Sequence, residues 1–343
     1  MSQYIYQHID NMWTDAIKEC KGISASRAGR TDETIGYSAC LEMPRYNVLQ
    51  NARRAISLPY AIAELIWYMA REDHVDRLLA YAPSYNQFAD DEGVAHGAYG
   101  SRIADNCQEP TTRGANDQLE TVLDVLREDP HSRRAVVTFF DATRDGWLLH
   151  ERSNEPDIPC TVSWQFLIRN NALDMVCTMR SNDVWLGMPY DVFVNTTIQA
   201  FLAHKLDVQL GRYYHQVGSL HLYDRNAKAA YEAIEDKYRQ PIPTRPIDPP
   251  TMMRFDMLAD LEALMRDGRI ISYGALSNDR EFQMLDRYNR WLVLAIAARW
   301  FDVPVEVHHP LFVERIEAYV DNRRRRSRRQ NDIAANAAED ADA

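Results

Sequence analysis

The sequence predicts an α/β fold of the α+β kind, in which a mixed β-sheet packs against helices and a C-terminal helical extension follows. Three observations support this. Strand-like and helix-like patterns mix up to about residue 230, helix follows helix from about residue 255, and RQPIPTRPIDPP at 239–250 separates the two regions with five prolines in twelve residues. Because proline cannot continue a helix, this segment is predicted to be an extended connection.

Helical patterns occur on both sides of the proline-rich segment. Before it, SLPYAIAELIWYMA at 57–70 has Pro59 in its first turn and is mostly apolar, which predicts a buried helix. A second long, largely buried helix is predicted at 189–206. Beyond the proline-rich segment, three more helices are predicted at 256–267, 279–301 and 310–322.

Three runs rich in β-branched and aromatic residues predict strands, at 134–140, 161–168 and 172–178. Asn170 and Asn171, between the last two, suit a tight hairpin turn because asparagine tolerates positive φ. If these two strands pair, Cys160 and Arg180 lie at the same end of the hairpin. An arginine beside a thiol lowers its pKa and favours the nucleophilic thiolate. The Arg180 guanidinium and the Ser181 hydroxyl also suit an anionic ligand.

Composition disfavours several classes of protein. The 343 residues carry a net charge of −11 and are 46% hydrophobic, as in ordinary soluble globular proteins. No run of ~18 apolar residues and no signal-peptide pattern occurs, so we expect a cytoplasmic protein without a membrane span. The five cysteines include no CxxC pair, which argues against a disulfide framework or a structural metal site.

The acidic balance also disfavours a nucleic-acid partner, with one local exception. The stretch at 323–329 contains six arginines, and the chain after Gln330 is rich in alanine, asparagine and aspartate, with little to bury. We interpret the arginine run as a solvated helix end and the rest as disordered. Contact of the arginines with an acidic partner stays open as an alternative.

Four separated motifs occur in a fixed order: DPHSRR at 129–134, PC at 159–160, MRSNDVWLGMPYDVFV at 179–194 and VGSLHLY at 217–223. In this order and spacing they resemble the thymidylate synthase superfamily over about residues 10–230, most closely its phage-type deoxycytidylate hydroxymethylases. The resemblance implies the thymidylate synthase fold and a homodimer formed through the sheet. It also implies transfer of a one-carbon unit from 5,10-methylenetetrahydrofolate to a pyrimidine nucleotide. The chain then divides into a catalytic domain at 1–254, a helical extension at 255–322 and a tail at 323–343.

The resemblance also implies two catalytic roles. Cys160 falls on the nucleophile that adds to C6 of the base and makes C5 nucleophilic. Glu64 falls on the general acid/base carboxylate, which works through ordered water near the base. A glutamate inside an apolar helix is unusual on physical grounds too, since its burial costs free energy unless partners compensate.

The binding residues follow from the same resemblance. The implied phosphate ligands are Arg30, Arg180 and Ser181, together with Arg133 and Arg134, which reach the phosphate in the neighbouring subunit's site. Arg27 remains a rival to Arg30, because the surrounding loop departs from the family's pattern. His221 and Tyr223 fall on the pair that binds the deoxyribose hydroxyl, and residues two apart on a strand share a face. Asp183 and Tyr85 fall on folate-contacting positions.

Asp191 is the most informative departure from the family pattern. Thymidylate synthases carry asparagine there, which complements uracil. Cytosine offers an amino donor at N4 and an acceptor at N3, so a carboxylate that accepts from N4 and shares a proton with N3 suits it better. Asp191 therefore points to dCMP as the substrate.

Two substitutions and the C-terminus bear on the product. Thr161 replaces the histidine that typically follows the nucleophile, and Asp157 replaces an apolar residue over the reacting centre. Both changes are similar to phage deoxycytidylate hydroxymethylases. An acidic group there favours a retained water over the dry pocket that hydride transfer prefers. The polar C-terminus also lacks the apolar segment that closes over the folate in synthases.

We therefore predict that the chain hydroxymethylates dCMP. Methylation of dCMP is the nearest alternative, and thymidylate synthesis from dUMP follows it. A catalytically inactive nucleotide- or nucleic-acid-binding protein is the alternative from a different class. The contacts of the helices after residue 255 are not predictable from the sequence.

Overall fold

The computed structural model describes residues 4–26, 29–104, 117–151, 157–235 and 254–325, except 311, 314 and 322. The described strands are β1 Tyr4–Tyr6, β2 Gly22–Ser26, β3 Gly29–Leu41, β4 Val136–Thr138, β5 Thr161–Arg169, β6 Ala172–Asp183 and β7 Gln209–Tyr223. They form one sheet in the order β1-β3-β7-β6-β5-β4, with β2 paired to β3. The β1–β3 and β6–β7 pairs are parallel and the others antiparallel, so the predicted mixed sheet is confirmed.

Helices pack against this sheet. Those described are α1 Ile9–Glu19, α2 Leu58–Met69, α3 Asp76–Leu79, α4 Tyr99–Ala104, α5 Gln118–Glu128, α6 Arg144–Glu151, α7 Met188–Lys205, α8 Asp224–Glu235, α9 Phe255–Arg266, α10 Tyr273–Ser277, α11 Arg280–Met284 and α12 Arg287–Ala297. Short 3-10 turns cover Pro83–Phe88 and Val305–Val307. No helix in the described part of the chain is long and apolar enough to cross a membrane.

The predicted hairpin is confirmed. Asn170 and Asn171 have φ angles of 50° and 58°, the left-handed conformation that asparagine tolerates, and they join β5 to β6. Thr161 therefore lies opposite Met179. The strand prediction at 134–140 was too long, because Phe139 and the residue after it both donate their N–H to the Val162 carbonyl and so break regular pairing after β4.

On β6 and β7 the buried side chains switch between odd- and even-numbered positions part-way along each strand, a switch that we call the phase change. On β7 they stand at odd positions through Val217 and at even positions from Leu220, and on β6 the change falls between Met179 and Asn182. At this point the two backbones are so close that a Cβ on Gly218 would lie 2.8 Å from a β6 carbonyl oxygen. The phase change directs the side chain of Asn182 to the buried face of the sheet.

The helix predicted around residues 57–70 is present as α2, with Ser57 capping its N-terminus by accepting from the Tyr60 amide. It packs against α4 and α7 and also against α9 and α12 from the C-terminal region. Contacts on several sides explain why the helix is apolar all round. They also enclose Glu64, which lies near its middle.

The C-terminal region differs from prediction in one helix. The long helix expected at 279–301 is two helices, α11 and α12, because Leu285 is extended (φ −69°, ψ 144°) and the Asp286 side chain caps α12 by accepting from the Asn289 amide. The described residues of 310–325 are helical, as predicted to residue 322. Arg323 is not merely solvated, since it bonds to the Asp302 carboxylate at 2.6 Å.

A buried ionic cluster attaches α9 to the rest of the molecule. Glu262 is fully buried and pairs with Arg77 of α3, which Glu72 also holds at 2.7 Å. Tyr81 donates its hydroxyl to Glu262 at 2.9 Å. The division of the chain at residue 254 stays a prediction.

Replacing Glu262 with alanine is expected to lower the free energy of unfolding by about 3 kcal/mol, because Arg77 keeps a buried charge with part of its compensation removed. Urea unfolding measures the change. Glu232→Ala serves as the control, since this half-exposed glutamate pairs with described residues at the long distances of 3.8 and 3.9 Å. Equal stability losses in the two variants would contradict this account of α9 docking.

Candidate active site

Cys160 lies immediately before β5, and three backbone contacts hold it there. Its N–H donates to the Tyr99 hydroxyl at 3.1 Å, and the Thr161 N–H donates to the same oxygen at 2.9 Å. Its carbonyl accepts from the Arg180 N–H at 2.8 Å. The hairpin therefore brings Cys160 and Arg180 together, as the sequence predicts.

The Arg180 side chain folds along the segment that precedes the cysteine. Its Nε donates to the Pro159 carbonyl at 2.9 Å and one terminal nitrogen donates to the Ile158 carbonyl at 2.8 Å. A guanidinium has five N–H donors, so these bonds orient the group while leaving others for an anion. Arg180 is exposed, so an anion can reach it from solvent.

The predicted net lowering of the Cys160 pKa is wrong. Burial raises the pKa of the thiol, Arg180 lowers it, and the charges of Asp191 and Asp157 raise it. The arginine acts in the expected direction, but burial outweighs it. Full thiolate formation therefore depends on a change in the charges around the thiol.

Glu64 is buried in α2, and its carboxylate accepts a hydrogen bond from the Tyr60 hydroxyl at 2.9 Å. Burial, and then the charge of Asp191, raise the pKa of Glu64 to about 8. A carboxyl with such a pKa is protonated on most molecules at neutral pH, yet it can lose its proton at modest cost. This is the behaviour required of a general acid/base near pH 7.

Asp191 lies in the first turn of α7, and its Oδ2 accepts from the Asn182 amide at 2.7 Å. Burial raises the pKa of Asp191 to about 7, although the bond from Asn182 acts in the opposite direction. Both the neutral and the ionised carboxyl are therefore populated near neutral pH. The neutral form has one donor and one acceptor edge, whereas the ionised form only accepts.

The charges of Asp157 and Glu64 act on Tyr85. Burial raises the pKa of Tyr85, and these two charges raise it further. The Asp157 carboxylate accepts from the Gly97 N–H at 2.7 Å. A Cβ at Gly97 would lie only 2.9 Å from this carboxylate, so the glycine makes the contact possible.

The predicted sugar-binding residues lie together at the end of β7. The His221 ring and the Tyr223 ring make an edge contact with centroids 5.0 Å apart. His221 Nδ1 lies 3.5 Å from the Ser181 hydroxyl, across the β6–β7 pair. These three side chains thus form one polar surface beside the Arg180 end of the hairpin.

Asp183 has two different carboxylate oxygens. Its Oδ1 accepts from the Trp185 and Leu186 amides and stabilises the turn into α7. Its Oδ2 is buried and has no hydrogen-bond partner among the described residues. A buried acceptor without a donor among the described residues can receive one from a bound ligand. The N–H groups of a pterin would supply one, so the residues present fit the predicted folate contact.

The remaining predicted phosphate ligands lie on the surface. Arg30 is exposed, with Nε 3.4 Å from an Asp224 carboxylate oxygen. Arg133 and Arg134 are exposed just before β4, an edge strand of the sheet. Arg27, the rival to Arg30, lies outside the described residues. The roles of these arginines stay predictions.

Comparison with known proteins identifies the family. A family model described as thymidylate synthase matches residues 12–274 of this chain. The chain belongs to the thymidylate synthase family. The match extends past residue 254, into the predicted helical extension.

Three relatives illustrate the named activities. The thymidylate synthase of Vesicomyosocius okutanii is 24% identical over 223 residues, covering 63% of this chain and 80% of that protein. The deoxyuridylate hydroxymethyltransferase of Bacillus phage SP01 is 30% identical over 213 residues, covering 60% and 54%. The thymidylate synthase of Haloferax volcanii is 28% identical over 178 residues, covering 47% and 50%. The chain thus spans about half the length of the latter two.

Membership of the thymidylate synthase family confirms the predicted fold and the predicted one-carbon donor. Enzymes of this family transfer a one-carbon unit from 5,10-methylenetetrahydrofolate to a pyrimidine nucleotide. Sequence reasoning did not identify two side chains of the site, Tyr99 and Asn182. Asn182 lies inside the MRSND motif and could have been noticed there, whereas Tyr99 has no local signal because its partners are 61 and 62 residues away.

Proposed function

We propose that this chain transfers a one-carbon unit to C5 of dCMP and adds water to give 5-hydroxymethyl-dCMP. The observation that carries the choice of substrate is Asp191, a carboxyl with a pKa of about 7 at the position where thymidylate synthases have asparagine. Its neutral form donates one O–H and accepts at the other oxygen. Cytosine requires this pattern, with its acceptor at N3 and its donor at N4. Uracil presents the reverse pattern.

Covalent catalysis begins with Cys160. Its thiolate adds to C6 of the base, and the electron pair of the C5–C6 double bond makes C5 nucleophilic. A proton shared between Asp191 and N3 makes C6 more electrophilic. Because cytosine is recognised by the neutral carboxyl, binding of dCMP favours the protonated form of Asp191 and so removes one of the charges that raise the pKa of Cys160. Binding of the correct base therefore favours formation of the thiolate.

When bound, 5,10-methylenetetrahydrofolate supplies a carbon at the oxidation level of formaldehyde. Asp183 and Tyr85 are proposed to hold it, Asp183 through its buried Oδ2, which no donor of the described residues reaches. Glu64, with a pKa of about 8, exchanges protons with ordered water near the base. Arg180 and Ser181 hold the nucleotide phosphate, while His221 and Tyr223 bind the sugar hydroxyl.

The choice of water over hydride rests on the polarity around Cys160. Asp157 is close enough to raise the pKa of the thiol, and the Gly97 amide fixes its carboxylate. A fixed carboxylate retains water where a dry pocket would favour hydride transfer. The phage relative named deoxyuridylate hydroxymethyltransferase supports the same outcome, since its name describes hydroxymethylation at the level of a pyrimidine nucleotide.

A homodimer is part of this proposal. Ile35 of β3 is 72% exposed, so a large apolar side chain lies uncovered on its side of the sheet. A second copy packed on this face would bury it. Arg133 and Arg134, exposed at the sheet edge, would then reach the partner's phosphate site.

Incubation of the full chain with C5-tritiated dCMP and 5,10-methylenetetrahydrofolate tests the reaction. We expect tritium release from dCMP, little release from dUMP, and a product heavier than dCMP by CH₂O by mass spectrometry. The folate should leave as tetrahydrofolate, because water rather than hydride completes the reaction.

Two results would contradict the proposal in different ways. A product heavier by CH₂, with dihydrofolate formed, would replace hydroxymethylation by methylation. Release from dUMP in preference to dCMP would remove the argument from Asp191 and bring the chain closer to the activities of its named relatives.

A further inference from the structure

We propose that four buried side chains, Asn195, Tyr213, His215 and Asn182, fix the direction of hydrogen bonding at Asp191 and so make the site selective for cytosine over uracil. We call this set the Asp191 relay. The inference rests on the proposed function, in which Asp191 meets the base. The four side chains are positioning residues, because only Asp191 is proposed to touch the substrate.

The members of the Asp191 relay form an unbroken chain of contacts. Asn195 Nδ2 lies 3.0 Å from the Tyr213 hydroxyl, which lies 2.8 Å from His215 Nδ1. His215 Nε2 lies 2.9 Å from Asn182 Oδ1, and Asn182 Nδ2 lies 2.7 Å from Asp191 Oδ2. All four relay side chains are at most 4% exposed. Water therefore does not compete for these bonds.

The end of the relay at Asp191 determines the direction of every bond. An ionised carboxylate only accepts, so the Asn182 amide donates to it and the Asn182 carbonyl accepts from His215 Nε2–H. Burial lowers the pKa of His215 to about 4, so the ring is neutral at pH 7 and carries a single N–H. With that proton at Nε2, Nδ1 accepts from the Tyr213 hydroxyl. The Tyr213 oxygen in turn accepts from the Asn195 amide.

This direction has a consequence for the neutral form of Asp191. Because Asn182 holds Oδ2 as an acceptor, the acid proton lies on Oδ1. In the proposed pose Oδ1 faces N3 and Oδ2 faces N4, so the Oδ1–H donates to N3 and Oδ2 accepts from N4 of cytosine. If the Asn182 side-chain amide were flipped, its carbonyl oxygen would accept the acid proton of Asp191. The other Asp191 oxygen could then only accept hydrogen bonds. An acceptor alone suits the N3–H of uracil.

The backbone around the relay is built to allow this contact. A Cβ at Gly187 would lie 3.2 Å from Asp191 Oδ2 and 3.3 Å from Asn182 Nδ2, closer than most side chains approach. Glycine at this position therefore leaves room for the Asn182–Asp191 pair. The phase change on β6 contributes as well, because it directs Asn182 to the same buried face as His215.

Equilibrium binding of dCMP and dUMP to two relay variants tests the inference. Asn182→Ala removes the hydrogen-bond donor to Asp191. Tyr213→Phe removes the hydroxyl that donates to His215 Nδ1, so the tautomer of His215 is no longer fixed. We expect the ratio of the two dissociation constants, measured by calorimetry on the full chain, to shift about tenfold towards dUMP in both variants. Tyr214→Phe is the matched control, since this tyrosine is next on β7 but outside the relay, and its ratio should not change.

The outcomes separate the relay from the proposed function. A wild-type chain that binds dCMP no better than dUMP counts against the proposed function itself. A wild-type preference for dCMP that survives unchanged in both variants overturns the relay alone. A uniform loss of both nucleotides, with the ratio unchanged, assigns these residues a structural role and also overturns the relay. If Asn182→Ala does not fold, the Tyr213→Phe result decides.

Discussion

A Cys160→Ser variant is expected to lose turnover while it keeps nucleotide binding. Serine preserves the shape of the side chain, but a hydroxyl ionises far less readily than a thiol and forms no adduct at C6 of the base. We expect kcat to fall by at least about a thousandfold. Tritium release from C5 of dCMP measures turnover, and calorimetry measures the retained affinity.

Cys20→Ser provides the matched control for this experiment. Cys20 is a buried cysteine outside the site, with its thiol 3.4 Å from the Ala16 carbonyl, a contact that serine can keep. This control should turn over at close to the wild-type rate. If Cys160→Ser did the same, covalent catalysis by Cys160 would be wrong. If the unchanged chain bound dCMP without turning it over, the alternative of an inactive nucleotide-binding protein would be favoured.

An Asp191→Asn variant is expected to shift its preference from dCMP to dUMP. An amide can donate to O4 and accept from N3–H of uracil, whereas with cytosine it leaves a buried donor facing N4–H₂. The ratio of kcat/KM for dCMP to that for dUMP should fall by about a hundredfold or more. Parallel steady-state assays of the two nucleotides measure it.

The pH dependence gives an additional readout for the same variant. Because the pKa of Asp191 is about 7, the neutral carboxyl is depleted as pH rises above that value, and use of dCMP should fall with it. The asparagine variant should lack the decline near pH 7 and keep only the decline at higher pH that follows ionisation of Glu64. Asp207→Asn is the control, because Asp207 lies in the turn after α7 with a φ of 55° that asparagine also tolerates. An unchanged base preference in Asp191→Asn would contradict the recognition argument.

Locally encoded parts of the fold were predictable from sequence. The β5–β6 hairpin follows from two asparagines between β-branched runs, and α2 follows from a proline-led apolar run. The long strands β3 and β7 gave weaker signals, because side chains on them are half-exposed and the phase change interrupts the alternation of buried positions on β7. The break between α11 and α12 depends on a single side-chain cap at Asp286.

Site residues that lie in a recognisable motif were predictable from the sequence. Properties of the site that depend on burial were not. The resemblance named Cys160 and Asp191 without any knowledge of their surroundings. The upward shift in the Cys160 pKa depends on enclosure by distant segments, which no spacing reveals. The same is true of Tyr99, whose hydroxyl holds the Cys160 backbone across 61 residues of sequence.

The packing of α2 makes the surroundings of Glu64 depend on the folding of the C-terminal helices α9 and α12. This helix carries Glu64 and packs against both α9 and α12. Local unfolding of those helices would admit solvent to α2, and a hydrated carboxyl returns towards its ordinary pKa. Glu64 would then remain ionised at neutral pH and lose its capacity to donate a proton. Under the proposed mechanism, heat or a destabilising substitution in α9 or α12 would therefore lower turnover of dCMP before the sheet itself unfolds.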